Sequence, residues 1–266
     1  MFAFVSVLFA AATTMSGSPS AADDIGVCSA VQAQLDPNGD TLMEDWDLVA
    51  AMAAAKLCAA NGDPRGAVSV AYMHRANGDR TAAKAILSAA PATSAEAARL
   101  QCRIAVDEKL DSALADCDRA IALRPGWSGA YNTRASALRE AGRLQEALAA
   151  SERAIALSPG NASFLINQAV TLEKLNRLGE ALIAYATAAG AAPRGAEPWE
   201  NIGRIQLAQG DSANAIASLD RAIAIKPSAV TFDSRGNAKA NLKQFEAALA
   251  DYASASGLDP CAARDR

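Results

Sequence analysis

The sequence predicts an all-α protein: a right-handed α-solenoid of antiparallel helix pairs, about five of them regular, with an irregular helical part ahead of them. Three observations carry that prediction. Alanine supplies 67 of the 266 residues, whereas aromatics make up only 5%. Alanine is the best helix former and lets helices approach closely, while sheets draw on β-branched and aromatic residues. Proline stands at positions 91, 125, 159, 193 and 227, four successive intervals of 34, and again at 260. An alanine lies five residues before each of the last five prolines (Ala120, Ala154, Ala188, Ala222, Ala255), and another lies twelve before (Ala113, Ala147, Ala181, Ala215, Ala248).

The chain opens with an apolar run, Met1 to Ala12, followed by the small, polar stretch Thr13 to Ser20. The run is too short to span a bilayer as a helix. It has the length of a signal-peptide core, and Ser20 and Ala22 place small residues where a signal peptidase needs them, just before Asp23. Residues 1–22 are therefore expected to be an export signal, with a periplasmic or secreted mature protein and no membrane span after cleavage. The formal net charge of -4 leaves no basic footprint for nucleic acid.

Export changes how the five cysteines read, because disulfides persist outside the cytosol. The expected pairs are Cys28 with Cys58 and Cys102 with Cys117, leaving Cys261 free; the other reading is that they are small buried hydrophobes. Residues 23–93 are expected to form a helical cap with a degenerate repeat. Turns at Asn61-Gly62-Asp63 and Asn77-Gly78-Asp79 delimit helices near 42–60, 64–76 and 80–90.

From residue 94 the metre is regular. Each unit is two amphipathic helices that turn at a site such as Ala141-Gly142-Arg143 or Gln209-Gly210-Asp211, and the second runs to a proline that cannot continue it. One such hairpin cannot cover its own apolar face, so it must stack on the next. The expected units are 94–127, 128–161, 162–195, 196–228 and 229–261, with a short tail at 262–266.

The motifs resemble those of the tetratricopeptide repeat family. One unit has Trp199-x2-Ile202-Gly203, then Ala215-x3-Leu219, Ala222 and Pro227; another has Phe232-x3-Gly236, Phe245, Ala248, Tyr252, Ala255 and Pro260. A third offers Tyr131, Ala135, Leu138, Gly142, Leu144, Ala147, Ala154 and Pro159. The resemblance implies a concave groove lined by the first helix of each repeat, where a protein or peptide partner lies. Carried onto this chain, the groove positions include Asn132, Ser136, Arg139, Ile166, Val170, Glu200, Arg204, Asp233 and Asn237. Asn167 and Asn201 resemble one element of the carboxylate clamp found in some members, but Asn132 and Glu197 fill slots where that clamp needs basic residues.

No residue pattern announces a reaction, and no catalytic residue, metal site or cofactor is expected. Gly126-Trp127-Ser128-Gly129 lacks the spacing and the preceding strand of a nucleophile elbow. His74 is the only histidine, and a lone histidine beside Met73 on a helix reads as a packing or surface residue. Asp36, Asn38, Asp40, Glu44 and Asp47 fall at calcium-loop spacing, but Thr41 stands where the loop needs glycine and Asp47 where it needs glutamate. The leading reading is a non-enzymatic interaction scaffold. The alternative is an accessory module of an envelope enzyme or complex, with a calcium or catalytic function in residues 23–93. Self-association through a terminal repeat is a further option.

Overall fold

The computed structural model describes residues 64–109 and 112–258. The expectations for the export signal at 1–22, the Cys28–Cys58 pair, the Asp36–Asp47 loop, the helix near 42–60 and Cys261 lie outside the described residues. Twelve helices and no strand are found among those residues: α1 (Pro64–Ala76), α2 (Arg80–Ser88), α3 (Ala95–Asp107), α4 (Ala113–Leu123), α5 (Ser128–Glu140), α6 (Leu144–Leu157), α7 (Ala162–Lys174), α8 (Leu178–Ala191), α9 (Glu197–Ala208), α10 (Ser212–Ile225), α11 (Ala229–Asn241) and α12 (Phe245–Leu258). The described residues divide into two compact units, one up to residue 143 and one from residue 144.

Local chemistry sets the helix ends. Asp79, Ser94, Asn161, Asp211 and Ser228 are N-caps whose side chains each accept a hydrogen bond from the backbone N–H three residues on. At the other end, the proline clashes with a helical conformation of the residue before it. Arg124, Ala192 and Lys226, each directly ahead of a proline, accordingly leave the helical region, with φ between -148° and -129°. The turn inside each helix pair passes through one left-handed residue: Gly78, Lys109, Gly142, Asn176, Gly210 and Lys243.

The ten alanines counted back from the prolines are all buried. They sit on the second helix of each pair, where a larger side chain would push the neighbouring helix away. In the first unit α1 packs on α2, α3 on α4, and α5 against both α3 and α4. Its cores are built from Met73, Ala83, Leu87, Leu100 and Ile104, and from Cys102, Ala105, Ala113, Cys117 and Ala137. Cys102 and Cys117 face each other across the α3–α4 hairpin, both fully buried, with Cα atoms 4.9 Å apart, and their sulfurs are within bonding distance.

In the second unit α6 packs on α7, α7 on α8, α8 on α9, α9 on α10, α10 on α11 and α11 on α12. Leu148, Ala169, Leu172, Tyr185, Ile202 and Ile205 form one continuous cluster that runs from α6 to α9. Where the facing residue is large, the first helix has glycine. A Cβ on Gly203 would lie 2.6 Å from Leu219 Cγ, and one on Gly236 would lie 2.6 Å from Tyr252 Cε1.

This opposition of small and large residues has a testable sign. Gly190, near the end of α8, has open space where a methyl group would stand, so Gly190→Ala is expected to stabilise by up to about 1 kcal/mol through helix propensity. Gly203→Ala brings the same propensity gain but collides with buried Leu219, so a net loss of about 1–3 kcal/mol is expected. Urea denaturation of the two variants checks the opposite signs.

Candidate peptide-binding face

The residues carried over as groove positions lie on the first helix of each pair. In the first unit α5 holds Asn132, Ser136 and Arg139. Asn132 is only 3% exposed and is part of the interior, whereas Ser136 and Arg139 are half-buried. In the second unit α7, α9 and α11 lie side by side, linked in order by polar contacts. Arg204 Nη2 on α9 donates to Glu173 Oε2 on α7 at 2.6 Å, and Thr231 Oγ1 on α11 donates to Glu200 Oε1 on α9 at 2.7 Å.

Each of these helices turns one stripe outward. On α11 the exposed residues Val230, Asp233, Asn237 and Asn241 recur at helical spacing, and on α9 the stripe is Glu197, Glu200, Arg204 and Leu207, with Glu200 and Leu207 half-buried. On α7 the half-buried Ile166 and Val170 pack against the core, so this part of the face is apolar.

Several polar side chains of the face are held by others. Tyr185 OH donates to Glu173 Oε1 at 2.6 Å, and Arg204 also reaches Asn201 Oδ1 at 3.2 Å. Burial, then the hydrogen bond to Glu173, pushes the Tyr185 hydroxyl well above its ordinary value, so it stays a neutral donor. Tyr252 OH donates to Asn237 Oδ1 at 2.9 Å. Glu197 is pushed up by desolvation first and by the adjacent Glu200 charge second. Ionising that carboxyl is therefore harder than for a free glutamate, and a cationic neighbour would ease it.

Part of the chain matches a known family. Residues 107–162, 132–196 and 166–230 match the tetratricopeptide repeat profile. This stretch belongs to the tetratricopeptide repeat family. Similar solved structures include PilF of Pseudomonas aeruginosa, 14% identical, covering 75% of this chain and 93% of that one with a TM-score of 0.65. A tetratricopeptide repeat protein of Parabacteroides merdae is also 14% identical, covers 88% and 93%, and has a TM-score of 0.59. YrrB, described as a repeat protein with an unusual peptide-binding site, is 21% identical, covers 66% and 91%, and has a TM-score of 0.51. At these identities the likeness is one of fold. No curated protein sequence matches the chain.

Ion pairs that the motifs did not single out also join the helix pairs. Arg134 on α5 reaches Asp118 on α4 at 2.7 Å, and Arg235 on α11 reaches Asp220 on α10 at 2.6 Å. Both arginines stand at the same place in their repeat, and both acids open an Asp-Arg-Ala-Ile-Ala sequence, which was the available signal. Arg235 also bonds Asp251 on α12, and Lys239 lies 2.8 Å from the same carboxylate. Among the described residues no group of three or more His, Cys, Asp or Glu is placed to hold a metal ion. His74 is paired with Asp79 at 3.4 Å. Trp127, beside the Ser128 of the glycine-flanked segment, packs with Ala98, Ala120 and Ala130, and the guanidinium groups of Arg99 and Arg124 lie 4.8 and 4.9 Å from its ring centre.

Asp251 is 3% exposed. Burial alone would raise its carboxyl, but the hydrogen bonds from Arg235 and Lys239 outweigh it and hold the group below the ordinary range. Its folded pKa lies below the unfolded one, so its contribution is complete above the ordinary aspartate value and fades as pH falls through the folded value. Asp251→Asn is expected to cost about 1.5–3 kcal/mol at neutral pH. Urea denaturation at neutral pH and again in acid should show the difference between variant and parent shrinking as pH falls.

Proposed function

We propose that the protein is a non-enzymatic, exported scaffold that binds a polypeptide along the outward stripes of its first-in-pair helices. The observation that carries this reading is the face of α7, α9 and α11. There the packing has left a continuous set of exposed polar residues with an apolar strip at Ile166 and Val170, and ion pairs hold part of it in place. An extended peptide fits such a face through hydrogen bonds to Asn237 and Arg204 and through aliphatic contact at Ile166, Val170 and Val230. The family to which the repeats belong, and the peptide-binding site named for YrrB, support the reading. Among the described residues no helix is long and apolar enough to cross a membrane.

A photo-crosslinking residue placed at Asp233 or Asn237 tests the face. Capture of a defined protein from these positions, and not from Glu180 or Arg221 on second-in-pair helices, is the expected result. Equal capture from both sets would contradict the assignment.

Export rests on residues 1–22 and is supported by the placement of Cys102 and Cys117. If the protein matures in an oxidising compartment, these two thiols close a loop with a sequence separation of 15, worth about 3 kcal/mol in the chain-entropy model. Peptide mapping without reductant should recover the two cysteines in one linked species, and reduction should lower the unfolding free energy by about that amount. Recovery of both as free thiols from the native source would overturn the pairing.

A further inference from the structure

We propose that the polypeptide taken by the face of α7, α9 and α11 presents a lysine or arginine side chain there, its cationic head among Glu197, Glu200 and Asp233 and its aliphatic stem on Val230. Such a partner presupposes that the face is a polypeptide groove. Glu197 and Glu200 stand three residues apart on α9, as Val230 and Asp233 do on α11, and residues at that spacing share a helix face with Cβ atoms about 5–6 Å apart. The two helices meet at these points. Thr231 Oγ1, between Val230 and Asp233 in sequence, donates to Glu200 Oε1 at 2.7 Å, and the hydroxyl of Ser228, the α11 N-cap, reaches the same oxygen at 3.5 Å. Neutral hydroxyls thus hold the Glu200 carboxylate in place without cancelling its charge.

Charge and apolar surface together select this partner. Among the described residues Glu197, Glu200 and Asp233 form no ion pair, although Arg194 and Lys226 stand in the loops that lead into α9 and α11. The cations of the first-in-pair helices are placed elsewhere: Arg204 is engaged by Glu173, Arg235 and Lys239 by Asp251, and Lys174 stands in the last turn of α7. The helix dipole favours acids in the first turn of α9, but Asp233 lies on the second turn of α11. The corresponding positions of α5 and α7 hold Gly129, Asn132, Ser163 and Ile166, so the repeat itself does not demand acids there. Nor are the three acids placed to hold a metal ion together. Beside them Val230 is 76% exposed, more than any other large hydrophobic of the described residues. An inorganic cation would leave that side chain uncovered and an acidic ligand would be repelled. Long basic side chains suit the combination, because they lay their methylene stems on apolar surface while the head meets the charge.

Selection of short random peptides, displayed on phage, against the full chain tests this. The selected peptides should be enriched in lysine and arginine, and their affinity should fall about tenfold in the neutral variant Glu197→Gln/Glu200→Gln/Asp233→Asn. Glutamine still accepts the Thr231 hydrogen bond, so α9 and α11 stay joined. The reversed variant Glu197→Lys/Asp233→Lys should instead select peptides enriched in aspartate and glutamate, which a chain that had lost its fold could not do. Peptides that lose affinity in Arg204→Ala/Asn237→Ala but show no excess of basic residues would overturn the proposal and leave the polypeptide groove standing. Basic peptides that bind the neutral variant as tightly as the parent would also overturn it. Selection of no peptide, or of peptides indifferent to every one of these substitutions, would overturn the groove and this proposal with it.

Discussion

The close approach of the two helices within each pair is the constraint on which the rest of the structure depends. It is met by removing side-chain volume at fixed places: alanine at two positions on the second helix, and glycine or alanine opposite the largest residue of the hairpin. Gly203 against Leu219 and Gly236 against Tyr252 are the tightest examples. Once the backbones are that close, the larger residues have one direction left, toward the neighbouring pair. Tyr185, Leu148 and Ile205 fill that space. In the α3–α4 hairpin Cys117 stands at the position of Leu219 and Tyr252, and Cys102, one residue beyond the position of the glycines, faces it with a small side chain and adds the chemistry of a crosslink.

Function follows from what this packing leaves over. The core consumes the alanines, leucines and aromatics, and the first helices keep a stripe of residues on which packing makes little demand. That stripe is free to carry recognition, and ion pairs set its register. Glu173 gathers Tyr185 and Arg204, while Arg235 ties α10 to α12 through two aspartates. The pairs with an exposed partner, Arg204 with Glu173 and Arg235 with Asp220, add about 0–1 kcal/mol each, whereas the pair with buried Asp251 is worth more. Their larger effect is positional, because each fixes one helix face relative to the next.

Much of the fold was legible in the sequence because it is written in one repeated volume requirement. A 34-residue metre of prolines and alanines is visible without knowing any contact, and the family motifs add the first-helix glycines. What was not legible are features that obey geometry without an identifying residue type. Lys109 and Lys243 adopt the left-handed conformation that Gly78, Gly142 and Gly210 adopt in the equivalent turns, although lysine has no intrinsic preference for it. The surrounding hairpin dictates the angle and the residue yields. The candidate site was legible as a set of positions but not as exposures: Asn132 occupies a groove position and is buried, while Asp233 in the matching position of its own repeat is exposed. Exposure depends on the neighbouring helix, which a position within one repeat does not encode. The Asp251 cluster was missed for a related reason, since its partners Arg235 and Lys239 stand on the neighbouring helix α11 and its acid stands outside the family motif.

Alanine at the pairing positions is thus required for its size rather than for its helix propensity. The most direct measurement compares two triple variants by urea denaturation: Ala147, Ala181 and Ala215 changed to valine, and Ala149, Ala186 and Ala217, which are exposed, changed to valine. Both sets carry the same β-branched penalty within a helix. A size requirement predicts that the buried set loses about 1–3 kcal/mol more per site, because each added pair of methyls forces two backbones apart. Equal losses in the two sets would contradict it.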